Sequence, residues 1–234
     1  MAFILEKEPK SPIAEAYRML RTNIQYSSFD KKIKSILVTS ATPSEGKSTT
    51  SGNLALTFEQ EGKRVLLVDC DLRKPVLHKN FSISNQIGLS DYIAGQVELA
   101  QCIVEYKENL HLIPSGKIPP NPSEMLSSQK MKEFVKEISE EYDVVIIDSP
   151  PVIAVTDAQI ISTYVDGVVL VVASGKVDKD AVLKAKEKFT QVKAHMLGAV
   201  LTQVPVDKKG YGYKNYYYYG KEEKHSKKSK RKGA

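Results

Sequence analysis

Six runs of strand length, several of them apolar at consecutive positions, constrain this chain more than any other feature. They are IKSILVTS (33–40), RVLLVDCD (64–71), NLHLIPS (109–115), DVVIIDS (143–149), GVVLVVAS (167–174) and MLGAVLTQ (196–203). A strand wet on one face alternates apolar and polar residues; a strand apolar at successive positions is covered on both. Between the runs lie helix-period segments at 47–60, 123–141, 157–164 and 179–193, the last presenting Val182, Ala185, Phe189 and Val192 at spacings of three and four. Alternation of this kind predicts an α/β fold with a doubly wound, mostly parallel sheet. Ahead of the first run, Ser11-Pro12 reads as a helix cap followed by proline at the first helical position, with Ile13, Tyr17, Leu20 and Ile24 as the apolar stripe. The stretch 75–106 is irregular, with helical hints at 89–94.

The length of 234 residues suits one α/β domain with a tail. The expected division is an N-terminal helix region (1–32), an α/β domain (33–205) and a disordered tyrosine- and lysine-rich tail (206–234). The formal charge of +6 is uneven. Residues 221–234 hold seven Lys/Arg against two acids, so the rest of the chain is close to neutral. That argues against a broad nucleic-acid face on the folded body, and no specific nucleic-acid partner is expected. No apolar stretch approaches the roughly 18–20 residues that cross a bilayer. The start, MAFILEKEPK, has no secretory pattern. Cys70 and Cys102 form neither a disulfide framework nor a metal spacing, and Cys70 reads as a small buried residue. These features predict a cytoplasmic protein.

The segment ILVTSATPSEGKSTTSGNLAL reads as strand, loop and helix, with Gly46-Lys47-Ser48 at the helix start. Backbone N–H groups converging at a helix N-terminus make a pocket for phosphate oxygens. Ser44, Glu45, Gly46, Lys47, Ser48 and Thr49 are the candidate nucleotide-binding residues. Lys47 would bridge β- and γ-phosphates, Ser48 would offer a hydroxyl to Mg²⁺, and Thr49 would bond the α-phosphate. The leading glycine of G-x-x-x-x-G-K-[ST] is Ala41 here, so the motif is a deviant Walker A loop. Two further strand ends carry acids: Asp69 and Asp71 in VLLVDCDLRKP, and Asp148 in VVIIDSPP. Ligands of parallel α/β sheets lie beyond the carboxyl ends of the strands, so all three should face the Lys47 loop. Ser48 and these three acids suit a Mg²⁺ shell, where oxygen ligands and water are preferred.

Six tyrosines, Tyr211, Tyr213, Tyr216, Tyr217, Tyr218 and Tyr219, fall within nine residues. Alone they fit a disordered sticky segment or a stacking platform for single-stranded RNA. Beside a phosphate site they read better as phosphoacceptors.

With those residues in place, the chain resembles the bacterial tyrosine kinases of capsule and exopolysaccharide synthesis. The resemblance covers nearly the whole chain. It rests on the loop from Ala41 to Ser48, the D-x-D-x-R motif (Asp69, Asp71, Arg73) and the Walker B strand ending in Asp148-Ser149-Pro150-Pro151. PPNPSEML (119–126), the E-x-x-R-x-x-R helix (Glu15, Arg18, Arg21) and the tyrosine cluster complete it. It implies a P-loop NTPase fold and an ATP- and Mg²⁺-dependent protein-tyrosine kinase. Lys47, Asp69 and Asp71 would be catalytic, with Asp69 as the base that accepts the tyrosine proton and Asp71 and Asp148 ordering the metal. It also implies autophosphorylation of the tail in trans within a ring-shaped homo-oligomer, an octamer, docked through Glu15, Arg18 and Arg21. The larger family members carry a fused membrane-spanning domain. This chain looks like the split form, whose adaptor is a separate transmembrane protein that would recruit it to the inner face of the membrane. A protein-tyrosine phosphatase would oppose it.

Two other readings compete. A partitioning-type switch ATPase shares the deviant loop but places a lysine where Thr42 stands. A nucleotide-gated scaffold without tyrosine transfer would have no use for the Asp69/Asp71 pair or the tyrosine array.

Overall fold

The computed structural model describes residues 3–28 and 32–205. Seven strands form one sheet: β1 (Ser35–Ser40), β2 (Val65–Asp69), β3 (Val104–Lys107), β4 (Leu110–Ile113), β5 (Val144–Asp148), β6 (Gly167–Ala173) and β7 (Met196–Thr202). Their order is β3-β4-β2-β5-β1-β6-β7, and every pair is parallel except β3 with β4. β1, β2, β5 and β6 are buried at every residue, as their unbroken apolar runs require.

The pleat sends successive side chains into two cores, one on each face. Ile36 and Val38 of β1, Val65 and Leu67 of β2, and Val169 and Val171 of β6 enter one core. Leu37, Leu66, Val68, Val168 and Leu170 enter the other. Helices α1 (Ile4–Lys7), α2 (Pro12–Gln25), α3 (Lys47–Glu59) and α4 (Leu77–Phe81) cover the first core. The second is closed by α5 (Leu89–Ile93), α6 (Leu99–Cys102), α7 (Pro122–Ser127), α8 (Gln129–Glu141), α9 (Asp157–Ile161) and α10 (Lys179–Gln191). The sheet is therefore doubly wound, as the alternation of runs predicts.

Local chemistry sets several boundaries. The Ser11 hydroxyl accepts the Ala14 N–H at 3.2 Å and Pro12 opens α2, so the expected cap forms. The segment 123–141 is two helices rather than one. Ser128 takes an extended backbone, and its hydroxyl accepts the Met131 N–H at 3.2 Å, starting α8 afresh. The irregular stretch 75–106 holds α4, α5, α6 and the antiparallel edge strand β3, elements too short to show a period. On α2 the expected stripe holds at Tyr17, Leu20 and Ile24, but Ile13 is 48% exposed and its neighbour Ala14 is buried instead. On α10 the expected face holds, with Ala185 and Phe189 fully buried.

Phe3, Leu5, Ala14 and Ile24 share their core with β1 and α3, so the N-terminal segment packs as part of the compact unit that ends at Gln203. Gly52 makes this possible. A Cβ at Gly52 would overlap the Phe3 ring, which is itself held 4.4 Å from the Phe81 ring.

Two effects oppose each other at this position. Gly→Ala in a helix interior gains about 1 kcal/mol of propensity, whereas forcing an extra carbon into a packed core costs about 1–3 kcal/mol. Gly52→Ala should therefore lower the urea midpoint in the native background and raise it in a Phe3→Ala background. A rise in both would show that Phe3 does not rest on α3.

Candidate active site

β1 ends at Ser40 and α3 begins at Lys47; the loop between them turns through two left-handed residues, Ser44 (φ 66°) and Gly46 (φ 91°). At Gly46 the conformation explains the glycine. Position 41 is not left-handed, and Ala41 is fully buried in the second core, so a methyl is tolerated where the usual motif has glycine. The first backbone bond of α3 runs from the Thr50 N–H to the Gly46 carbonyl at 2.8 Å. The N–H groups of Lys47, Ser48 and Thr49 are thus free of helix partners, and the positive end of the helix lies among them.

The loop is tied down from three strands. Glu45, expected beside the nucleotide, has a buried side chain with other duties. Its Oε1 accepts from the Thr42 hydroxyl at 2.9 Å and from the Thr42 N–H, and its Oε2 accepts the Ala173 N–H of β6 at 3.1 Å. Only the backbone of Glu45 remains for phosphate. At the end of β7 the Thr202 hydroxyl donates to the Glu45 carbonyl at 2.6 Å, and the Gln203 amide donates to the Ser44 carbonyl at 3.0 Å. The Ser40 hydroxyl donates to the Thr42 carbonyl at 2.7 Å. Ser44 and Thr49 are exposed at the loop, while Lys47 and Ser48 are buried.

The acids arrive by strand register. Asp148 of β5 sits opposite Asp69 of β2 and opposite Val38 of β1, so the three strand ends finish together. Lys47 Nζ lies 2.9 Å from Asp71 Oδ2 and 3.6 Å from Asp148 Oδ2, and it donates to the Ser48 hydroxyl at 3.1 Å. Ser51, one turn into α3, donates to Asp148 Oδ1 at 3.1 Å. Asp148 Oδ2 is buried with no hydrogen-bond partner, the lysine being its only counter-charge at ion-pair distance among the described residues.

Asp69 is fully enclosed. One oxygen accepts the Asp71 N–H and the other the Leu77 N–H, each at 3.1 Å. Burial, followed by the charge of Asp148, pushes its pKa up to about 8. Burial also raises Asp148, with Lys47 opposing. For Lys47, burial favours the neutral form, but Asp148 and Asp71 outweigh it and its pKa is raised.

Three buried carboxylates around one ammonium leave an excess of negative charge. The orphaned Asp148 Oδ2, the Asp71 carboxylate and the Ser48 hydroxyl are hard oxygen donors that fit Mg²⁺. Among the described residues no three acidic, imidazole or thiol groups form a cage. That donor set matches an ion that takes one or two carboxylates and completes its shell with phosphate and water.

Arg73 follows the acids and forms a fork. Its Nε and Nη2 donate to Asp157 Oδ2 and Oδ1 at 2.9 and 3.1 Å, and Nη2 also donates to the Ser123 hydroxyl at 2.8 Å. Ser123 in turn donates to Asp157 Oδ1 at 2.7 Å. Sequence reasoning missed Ser51, Ser123 and Asp157. The signal for Asp157 was its place at the start of the helical pattern following the Walker B strand.

Of the three residues expected at an interface, Glu15 and Arg18 pair on the surface at 3.1 Å, with Arg18 also donating to the Pro9 carbonyl at 2.7 Å. Arg21 is half-buried. It turns inward, donating to the Thr57 carbonyl at 2.8 Å and lying 3.7 Å from Glu61, so it ties α2 to the far end of α3. Tyr211, Tyr213, Tyr216, Tyr217, Tyr218, Tyr219 and the lysine run lie outside the described residues.

The AAA domain family matches residues 33–197. Tyrosine-protein kinase YwqD of Bacillus subtilis is 46% identical over 214 residues, covering 91% of this chain and 89% of the relative. The chain belongs to the bacterial tyrosine-protein kinases. The solved kinase domain of the Escherichia coli tyrosine kinase ETK superposes with a TM-score of 0.84 at 33% identity, over 90% of this chain and 84% of that one. A cobyrinic acid a,c-diamide synthase from Mycobacterium smegmatis with bound ADP and magnesium shares the fold alone, at 21% identity and a TM-score of 0.63, over 72% of this chain and 73% of the synthase. No helix among the described residues is long and apolar enough to cross a membrane.

The raised pKa of Asp69 sets a sign for the ligand-free kinase. Unfolded, the group titrates near about 3.9; folded, it holds its proton up to about 8. The stability it contributes is complete below the lower value and is lost as pH climbs through the upper one. Wild type should therefore lose stability relative to Asp69→Asn between about pH 4 and about pH 8, read from paired denaturation curves. Parallel pH profiles would refute the shift.

Proposed function

We propose that this kinase transfers the γ-phosphoryl group of ATP, with Mg²⁺, to the tyrosines of its own tail (Tyr211, Tyr213, Tyr216, Tyr217, Tyr218 and Tyr219), acting in trans within an oligomer. The observation that carries the reading is the convergence of Lys47, Asp71 and Asp148 at one end of the sheet, within 3.6 Å of the lysine ammonium. Ser44, Glu45, Gly46, Lys47, Ser48 and Thr49 hold the phosphates, Glu45 through its backbone. Bound Mg²⁺ would neutralise charge on the β- and γ-phosphates, and Ser48, Asp71 and Asp148 are the residues to hold it.

In the transfer, the tyrosine oxygen forms a bond to the γ-phosphorus. The bond from that phosphorus to the β,γ-bridging oxygen breaks, and ADP leaves. Lys47 balances the charge that spreads over the transferring oxygens. Asp69 accepts the tyrosine proton. It must be ionised to do so, and the positive charge of bound Mg²⁺ would lower the pKa that burial raises in the ligand-free chain; general-base help of this kind contributes roughly 10²–10⁴-fold. For Asp69 to act, its enclosure must open toward the acceptor.

Glu15, Arg18 and Arg21 of the α2 motif dock neighbouring copies. A membrane adaptor recruits the assembly, a phosphatase resets it, and the process served is capsule or exopolysaccharide synthesis. These functions rest on the family resemblance. The partitioning-type reading has less support, because Thr42 stands where that class has a lysine and its side chain is engaged by Glu45.

Labelled ATP tests the reaction. Asp69→Ala should reduce tail phosphotyrosine by about 10²-fold or more while keeping most of the nucleotide affinity; transfer at the wild-type rate would remove Asp69 from the mechanism. Free phosphate without phosphotyrosine in wild type would favour a switch ATPase.

Phosphorylating all six tyrosines adds on the order of −9 to −12 charges beside a lysine run whose net charge is +5. Phosphorylated protein should scatter light as a smaller particle than unphosphorylated protein. Equal masses would count against release of the assembly.

A further inference from the structure

We propose that Arg73 is a positioning residue for tyrosine transfer, fixing Asp71 through its two-pronged grip on Asp157. The inference rests on the reading of Asp71 as a metal-ordering carboxylate.

The geometry places one short turn between two charged anchors. Asp71 Oδ2 meets Lys47 at 2.9 Å, and Asp71 Oδ1 accepts the Lys74 N–H at 3.0 Å, which closes residues 71–74 into a turn. Arg73 lies inside that turn. Its guanidinium reaches both oxygens of Asp157 and the Ser123 hydroxyl. Asp157 is fully buried, so its charge needs a partner. The turn after β2 is thereby fastened to the start of α9, which follows the Asp148 strand, and to the start of α7.

A single ammonium could neutralise Asp157, but it could not engage two carboxylate oxygens and a hydroxyl in one plane. The fork defines direction as well as charge. Release of Arg73 leaves Asp71 held by Lys47 and by the Lys74 N–H of a turn that has lost its anchor, and Lys47 is the group that ATP phosphates would claim. In the loaded site, then, the Asp157 anchor is what keeps Asp71 in register with Asp148. A misplacement of about 1 Å in a reacting site can cost about 10²-fold in rate, and partners one shell removed from a metal commonly change affinity or activity by about 10–100-fold.

The test uses the full chain and three variants. Arg73→Lys keeps the charge but not the fork. Asp157→Asn removes the anchor without leaving a buried charge. Asp71→Asn controls the underlying reading. Thermal unfolding establishes that each is folded. Two quantities are then read: kcat and KM for tail phosphorylation, and the Mg²⁺ concentration that half-saturates the gain in affinity for a fluorescent ADP analogue. Arg73→Lys and Asp157→Asn should lower kcat by about 10–100-fold with little change in KM for ATP, and both should raise the Mg²⁺ half-point several-fold. If they fold but leave that half-point at the wild-type value, the inference is overturned, even where kcat falls with the folded fraction. If Asp71→Asn also leaves it unmoved, the assignment of Asp71 itself has failed.

Discussion

One ammonium surrounded by three buried carboxylates is the constraint on which the rest of this structure depends. Lys47 satisfies Asp71 closely and Asp148 at longer range, and among the described residues no cation lies at ion-pair distance from Asp69. Buried charge is tolerated only where it is paired or hydrogen-bonded. Asp69 is kept by backbone N–H groups and by a proton held to unusually high pH, while Asp148 retains one oxygen with no hydrogen-bond partner. A site left short of positive charge in its own chain would accept a divalent cation. The parallel sheet makes the arrangement possible, since it brings the carboxyl ends of β1, β2 and β5 to a single edge.

The phosphate loop is rigid for a related reason. Its carbonyls are taken by Thr202, Gln203 and Ser40, and its one buried acid is spent on Thr42 and Ala173. With those groups engaged, the N–H groups at the start of α3 are left facing a common space. Such a cradle needs little reorganisation when phosphate arrives, and preorganised donors are where most electrostatic stabilisation of a transferring phosphoryl group originates.

How much of this was legible in the residues follows from what each feature depends on. The six apolar runs declared a covered parallel sheet, because covering both faces leaves no polar positions to disguise it. Gly46, Lys47, Asp69, Asp71 and Asp148 stood out as residues with no apolar reason to be at strand or helix ends. Glu45 could not be sorted the same way. Its neighbours along the chain are loop residues, and only the return of β6 shows what its carboxylate holds. Arg73 and Asp157 are separated by 84 residues, so their pairing is invisible without the fold. The break at Ser128 was hidden by a helical period that continues across it, and Ile13 misled because its neighbour Ala14 is the residue that packs.

Arg21 shows what a motif read along a helix leaves out. The family resemblance groups it with Glu15 and Arg18, and its guanidinium reaches the Thr57 carbonyl near the last turn of α3 and lies beside Glu61. A cation there meets the negative end of the helix dipole, and Lys47 opens the positive end. α3 is buried along nearly its whole length, packed between the sheet and the N-terminal segment, with Gly52 allowing Phe3 to lie against it. The helix that presents N–H groups to phosphate is thus the one that carries α2, and the exposed Glu15–Arg18 pair sits on the same α2. The surface of α2 is thereby joined to the phosphate loop through one buried helix.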